Sequence, residues 1–145
     1  MLESPLWQSG WQALGLSASP EQQHKLWQYV ELLQRWNKVH NLTAVRDFND
    51  MLVLHLWDSL SVAPYVKGAR LLDVGSGGGL PGIPLAIMYP EQHWVLLDTN
   101  GKKTRFMQQA VGELHLTNTG VIQTRVEAGK PSVRFDGVIS RAFAS

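Results

Sequence analysis

The sequence predicts an α/β protein, a doubly wound parallel sheet preceded by a helical N-terminal cap. Three observations predict it. From residue 70 onward, short apolar runs bounded by glycine alternate with segments of helical period. The first of these runs leads into a glycine-rich turn and then a helix, the Rossmann-like order. Residues 1–66, by contrast, read as helical and rich in tryptophan. The expected division is a cap over 1–66 and a core over 67–145, forming one compact unit.

In the cap, a helix over residues 6–14 is ended by Gly15. The next begins at Ser19, an N-cap, with Pro20 in the first helical position and Gln22 placed to close a capping box. Leu26, Val30, Leu33 and Asn37 fall on one face of it, flanked by Trp27 and Trp36. A third helix is expected from Asn49 or Asp50 through Met51, Leu54, His55 and Asp58 to Val62, ahead of Pro64. Trp7, Trp11, Trp27 and Trp36 stand at helical spacing and are expected in the core rather than stacked on bases.

In the core, Arg70-Leu-Leu-Asp-Val74 is a strand, followed by a helix over 81–88. His93-Trp-Val-Leu-Leu-Asp98 is a second strand and residues 102–114 a helix, with Phe106, Ala110 and Leu114 in register. Strands over 120–126 and 135–140 complete the series. Strand–helix alternation implies parallel pairing and right-handed crossovers. A doubly wound nucleotide-binding sheet carries more strands beyond its fourth, so the core is expected to be incomplete, lacking C-terminal strands.

Composition narrows the function. The absence of cysteine removes disulfides, thiolate metal sites and cysteine nucleophiles. No metal site is expected. No apolar run approaches the ~18 residues of a membrane span, and the first residues lack the basic start and apolar centre of a signal peptide. A soluble cytoplasmic monomer is the expectation. A net charge of +1 neither demands nor excludes nucleic acid.

The chemistry centres on Leu71-Leu-Asp-Val-Gly-Ser-Gly-Gly-Gly-Leu-Pro-Gly82. Glycine permits positive φ and lets backbone approach a ligand, and the following helix start offers N–H groups. The dinucleotide pattern G-x-G-x-x-G fails from Gly75, because position 80 is leucine; it fits only from Gly77, past the strand and with Pro81 inside it. The better frame is Asp73-x-Gly75-x-Gly77-x-Gly79. An acid two residues before the first glycine opposes a pyrophosphate and suits the sulfonium and ammonium of S-adenosyl-L-methionine. Asp98 ends the second strand, where a carboxylate accepts from both ribose hydroxyls of a nucleoside; its other reading is a turn residue before Thr99-Asn-Gly101. After the third strand, Val126 is placed to pack on adenine. Glu127 either accepts from its exocyclic amine or faces solvent.

These residues resemble the glucose-inhibited division protein B family, ribosomal RNA small-subunit methyltransferases that form 7-methylguanosine. The resemblance lies in the loop and its Leu80-Pro-Gly-Ile-Pro84 continuation. It extends to Trp36-Asn37, Asn41-Leu-Thr43, Arg46, His55, Asp58-Ser59 and the closing Phe135-Asp-Gly-Val-Ile-Ser-Arg-Ala-Phe-Ala-Ser145. It implies a class I methyltransferase fold with S-adenosyl-L-methionine held by Gly75, Leu80, Val126, Glu127 and Arg141, alongside the Gly77, Gly79 and Asp98 already singled out. It also implies a partner, small-subunit ribosomal RNA or a ribosomal particle, with guanine N7 as the acceptor. N7 carries an unprotonated lone pair, so no catalytic acid or base is nominated; a hydrogen-bonding role for His55 and Asp58 is as compatible as a chemical one. Arg46, Lys102, Lys103 and Arg105 are candidates for phosphate contact, against the alternative of solvated surface. Other readings stay open: an NAD-dependent oxidoreductase, a non-enzymatic RNA-binding or assembly module, and a methyltransferase acting on a small molecule or protein.

Overall fold

The computed structural model describes residues 4–124 and 135–140. Helix α1 (Pro5–Leu14) starts on Ser4, whose hydroxyl accepts from the Trp7 N–H, and ends at Gly15 with φ 65°. Helix α2 (Pro20–His40) has the expected capping box: Gln22 N–H donates to Ser19 Oγ and Ser19 N–H to Gln22 Oε1. It buries Leu26, Val30, Leu33 and Asn37, and also Tyr29 and Leu32, while Trp27 and Trp36 are half-buried.

The third helix differs from its expected form. It begins with α3 (Phe48–Met51), capped by Asp47. A π-helical stretch (Leu52–Trp57) and α4 (Asp58–Ser61) follow without a break, then a 3₁₀ turn (Ala63–Tyr65). Asp47 outcompetes Asn49 because its carboxylate reaches the Asp50 N–H. The wider turn rotates the buried face: Leu52, His55, Leu56 and Trp57 point inward, and Leu54 is exposed rather than in register with Met51. Indoles join these helices, with Trp7 centred 5.2 Å from both Trp27 and Trp57 and 5.8 Å from Trp11. A Cβ on Gly10 would come within 2.3 Å of the Trp57 ring, so α1 approaches this closely only because residue 10 has no side chain.

The core comprises β1 (Arg70–Val74), α5 (Gly82–Met88), β2 (His93–Asp98), α6 (Gly101–Glu113), β3 (Thr119–Gln123) and β4 (Gly137–Ser140). The sheet order is β3-β2-β1-β4, parallel throughout. β3 starts one residue earlier than expected, because Thr119 pairs with Trp94, and its described ladder ends where Gln123 pairs with Asp98. The chain turns in opposite directions from β1 to reach β2 and β4, so the carboxyl ends of β1 and β4 flank the switch point where such sheets bind ligands.

One apolar core runs from the helices into the sheet. Leu26, Tyr29, Ile83, Leu96 and Phe106 are fully buried within it, each contributing about 1.5–3 kcal/mol if aliphatic or aromatic carbon is removed from water. At the opposite end of the sheet, Asp136 Oδ2 accepts from Ala69 N–H (2.7 Å) and Arg70 N–H (2.9 Å), fastening the start of β1 to the approach to β4. Those two bonds, from Arg70 and then Ala69, hold its carboxyl below the usual aspartate value.

Candidate functional site

The turn after β1 has left-handed backbone at Gly75 (φ 71°), Gly77 (61°) and Gly79 (86°). At Gly75 and Gly77 a Cβ would meet no atom, so conformation rather than crowding calls for glycine, and the space above stays open. Gly82 is different: a Cβ there would lie 2.3 Å from Leu96 Cδ2 and 2.9 Å from Asp73 Oδ2.

The loop is fastened from several sides. Gly75 and Ser76 N–H both donate to the Leu97 carbonyl, and Gly79 and Leu80 N–H to that of Ser76. Gly77 N–H donates to Asp98 Oδ2 at 2.9 Å, while Asn100 N–H donates to Oδ1 of the same carboxylate. From the cap, the buried Tyr29 hydroxyl donates to the Gly78 carbonyl. Leu80 is buried, and the Leu80–Pro81 peptide is cis.

Two expectations change here. Asp73 is fully buried and its Oδ2 accepts from Gly82 N–H at 2.9 Å, so this carboxylate closes the turn from beneath instead of lining the open side. The start of α5 likewise offers little to an anion, because Gly82 N–H goes to Asp73 and Ile83 N–H to the Gly79 carbonyl. A pyrophosphate needs several free backbone donors at such a turn. The N–H groups of Gly75, Ser76, Gly77, Gly79, Leu80, Gly82 and Ile83 are all engaged within the protein.

Gly75 and Asp98 line a cleft of about 120 Å³ with Val74, Leu97, Thr99 and Thr124. Asp98 keeps acceptor capacity there, since a carboxylate offers about four lone-pair directions and its two backbone donors use two. Sequence reasoning placed Gly75, Gly77, Gly79, Leu80 and Asp98 at one cofactor site; the structure sets Gly75 and Asp98 on this cleft, bonds Gly77 to Asp98, and puts Gly77 and Leu80 on a larger neighbouring cleft. Val126, Glu127 and Arg141 lie outside the described residues.

Sequence reasoning did not anticipate how the turn after α2 is built. Asn41 ends that helix in left-handed backbone. Buried Asn37 accepts from Thr43 N–H (2.8 Å) and donates to the Val45 carbonyl (3.1 Å), folding residues 41–45 over the glycine loop. Thr43 Oγ1 accepts from Val45 N–H and lies 2.8 Å from His55 Nε2. Asn37 was legible only as the polar member of an apolar helix face. Of the basic candidates, Arg46 is exposed and donates to Asn41 Oδ1 at 2.6 Å. Lys102 and Arg105 are exposed and Lys103 half-buried on the first turns of α6. Among the described residues no group of histidines and carboxylates is placed to hold a metal, and no helix is long and apolar enough to cross a membrane.

Parallel strands in this order, opening on a glycine-rich turn fastened to the end of the neighbouring strand, make a Rossmann-like sheet, the fold that the class I methyltransferases share. The chain is similar in structure to a coclaurine N-methyltransferase solved with N-methylheliamine and SAH, with a TM-score of 0.56, 14% identity, and coverage of 93% of this chain and 47% of that one. The family model described as rRNA small subunit methyltransferase G matches residues 22–145, and the chain belongs to that family. Relatives named ribosomal RNA small subunit methyltransferase G include one from Hahella chejuensis, 56% identical over 137 residues, and one from Klebsiella pneumoniae, 56% identical over 131. These alignments cover 94% and 90% of this chain, which spans 63% of the length of each relative.

Proposed function

We propose that this chain is the donor-binding part of an S-adenosyl-L-methionine-dependent methyltransferase that modifies N7 of a guanine in bacterial small-subunit ribosomal RNA. The observation that carries the donor is the occupied set of backbone donors around the glycine turn. Such a turn has few N–H groups left for the pyrophosphate of NAD, yet it stays open above Gly75 and Gly77 and has a carboxylate at its edge. Family membership supports the acceptor.

The residues fit the donor. Asp98 would hold the ribose hydroxyls, with Gly75, Gly77 and Gly79 giving backbone access and Leu80 an apolar surface. Val126, Glu127 and Arg141 complete the proposed donor set. When bound, the donor supplies an electrophilic methyl: the N7 lone pair forms the new N–C bond as the C–S bond breaks, its electron pair stays on sulfur, and no proton moves. The protein therefore needs no general base; its residues align the partners and exclude water. Arg46, Lys102, Lys103 and Arg105 would meet phosphates.

The test is methyl transfer from labelled donor to small-subunit ribosomal RNA and to small ribosomal subunits, by this chain and by a longer version, with calorimetry of S-adenosylhomocysteine and NADH alongside. Label in 7-methylguanosine and binding of S-adenosylhomocysteine alone are expected. Binding of NADH in its place would overturn the reading.

A further inference from the structure

The glycine loop walls a second, larger cleft, which shares Gly77 and Leu80 with the proposed donor set but is lined by neither Gly75 nor Asp98. It encloses about 390 Å³ between the turn after α2, the π-helical stretch and the loop itself. Leu33, Leu42 and Leu80 supply aliphatic walls, while Asn41, Thr43 and His55 supply polar groups on the other side. We propose that this cleft receives the acceptor base, a guanine whose faces pack on the leucines and whose polar edge is read by the Thr43–His55 pair. The proposal rests on the methyltransferase reading and assigns the acceptor side of the same site.

Position is the first argument. Gly77 lines this cleft, and its N–H is bonded to Asp98, which lines the smaller cleft at the end of β2. Donor and acceptor would then meet across Gly77, which has no side chain. Transfer requires the reacting atoms to approach to roughly 3–3.5 Å, which a bulky partition would prevent. Size and lining form the second. The volume is that of a small-molecule site, and apolar walls with a few convergent polar groups are what such sites present.

Preorganisation is the third. The Thr43 hydroxyl is held by Val45 N–H and by His55 Nε2, and the Thr43 backbone by Asn37. This polar edge is therefore set before any ligand arrives. His55 is brought inward by the π-helical turn, a feature that recurs at functional sites. Lys103 also lines the cleft, where the phosphate of a nucleotide would meet it. His55 and Thr43 act in this scheme as specificity-determining contacts; neither exchanges a proton with the base.

The test uses this chain saturated with S-adenosylhomocysteine and titrated with guanosine 5′-monophosphate, read by NMR at the His55 ring, with cytidine 5′-monophosphate as control. The guanosine nucleotide is expected to shift the His55 signals saturably and the cytidine nucleotide to do so at least several-fold more weakly. Thr43→Val should weaken the guanosine response about tenfold, leave S-adenosylhomocysteine affinity within about twofold and leave the weak cytidine response unchanged, and Thr43→Ser should restore the guanosine response; a merely structural role of the hydroxyl would change the responses to both nucleotides alike. An unmoved His55 in a protein that binds S-adenosylhomocysteine overturns this proposal alone, as does S-adenosylhomocysteine itself filling the cleft and excluding the nucleotide. Absence of S-adenosylhomocysteine binding overturns it together with the donor reading.

Discussion

Asp98, the last residue of β2, accepts from the Gly77 N–H at 2.9 Å, so one carboxylate both shapes the turn after β1 and faces the cleft beside it. Asp98→Ala removes both functions. S-adenosylhomocysteine affinity measured by calorimetry is expected to fall at least tenfold, since a hydrogen bond to a charged group contributes roughly 1.5–3 kcal/mol. Unchanged affinity would remove Asp98 from the donor site.

Gly77→Ala and Gly82→Ala separate ligand space from folding space. At Gly77 the added methyl meets no protein atom and the cost is the left-handed backbone alone, about 1 kcal/mol. Urea unfolding should therefore change little while donor affinity drops. At Gly82 the methyl collides with Leu96 and the Asp73 carboxylate, and about 1–3 kcal/mol of stability should be lost. The reverse ranking in urea midpoints would contradict the packing of Gly82 against Leu96 and Asp73.

Asp136 makes stability depend on acid. Its folded carboxyl lies below the ordinary value of 3.8, held there chiefly by the Arg70 and Ala69 N–H groups. A depressed folded pKa adds stability that is complete above the unfolded value and is lost as pH falls through the folded one. Asp136→Asn is thus expected to lower the urea midpoint at neutral pH, with the difference from the parent shrinking below about pH 4. A difference constant down to about pH 2 would show that the charge plays no part.

Lys102 and Lys103 sit at the start of α6, and Lys103 lines the cleft beside the glycine loop. Neutralising both, as Lys102→Gln with Lys103→Gln, should weaken RNA binding and flatten its dependence on salt, by roughly 0.7–0.9 in log–log slope for each phosphate that is no longer neutralised. An unchanged slope would place both side chains outside the RNA interface.

Local signals carried most of the fold. The Ser19–Gln22 capping box and the Gly15 stop occur where the sequence puts them, because each is satisfied within four residues. The four strands were legible from apolar runs and glycine boundaries, but the first residue of β3 was not, since pairing of Thr119 with Trp94 is decided across the sheet. The π-helical turn was hidden for the same reason. Val53 and Leu54 are as apolar as Leu52 and Leu56, and only tertiary packing decides which pair faces inward. At the site, Gly75, Gly77 and Asp98 were readable because positive φ and a strand-end acid leave marks in residue type. Burial of Asp73 beneath the turn left none, and neither did the folding of residues 41–45 by Asn37, which depends on a helix-face amide meeting a distant backbone.

The bond from the Tyr29 hydroxyl to the Gly78 carbonyl ties the middle of α2 to the glycine loop. A ligand that stiffens that loop is therefore expected to slow deuterium uptake by the backbone around residue 29, which would register occupancy at Gly75–Gly79 from outside the pocket. The N-terminal helices would then serve as a built-in gauge of loading as well as a lid on the sheet.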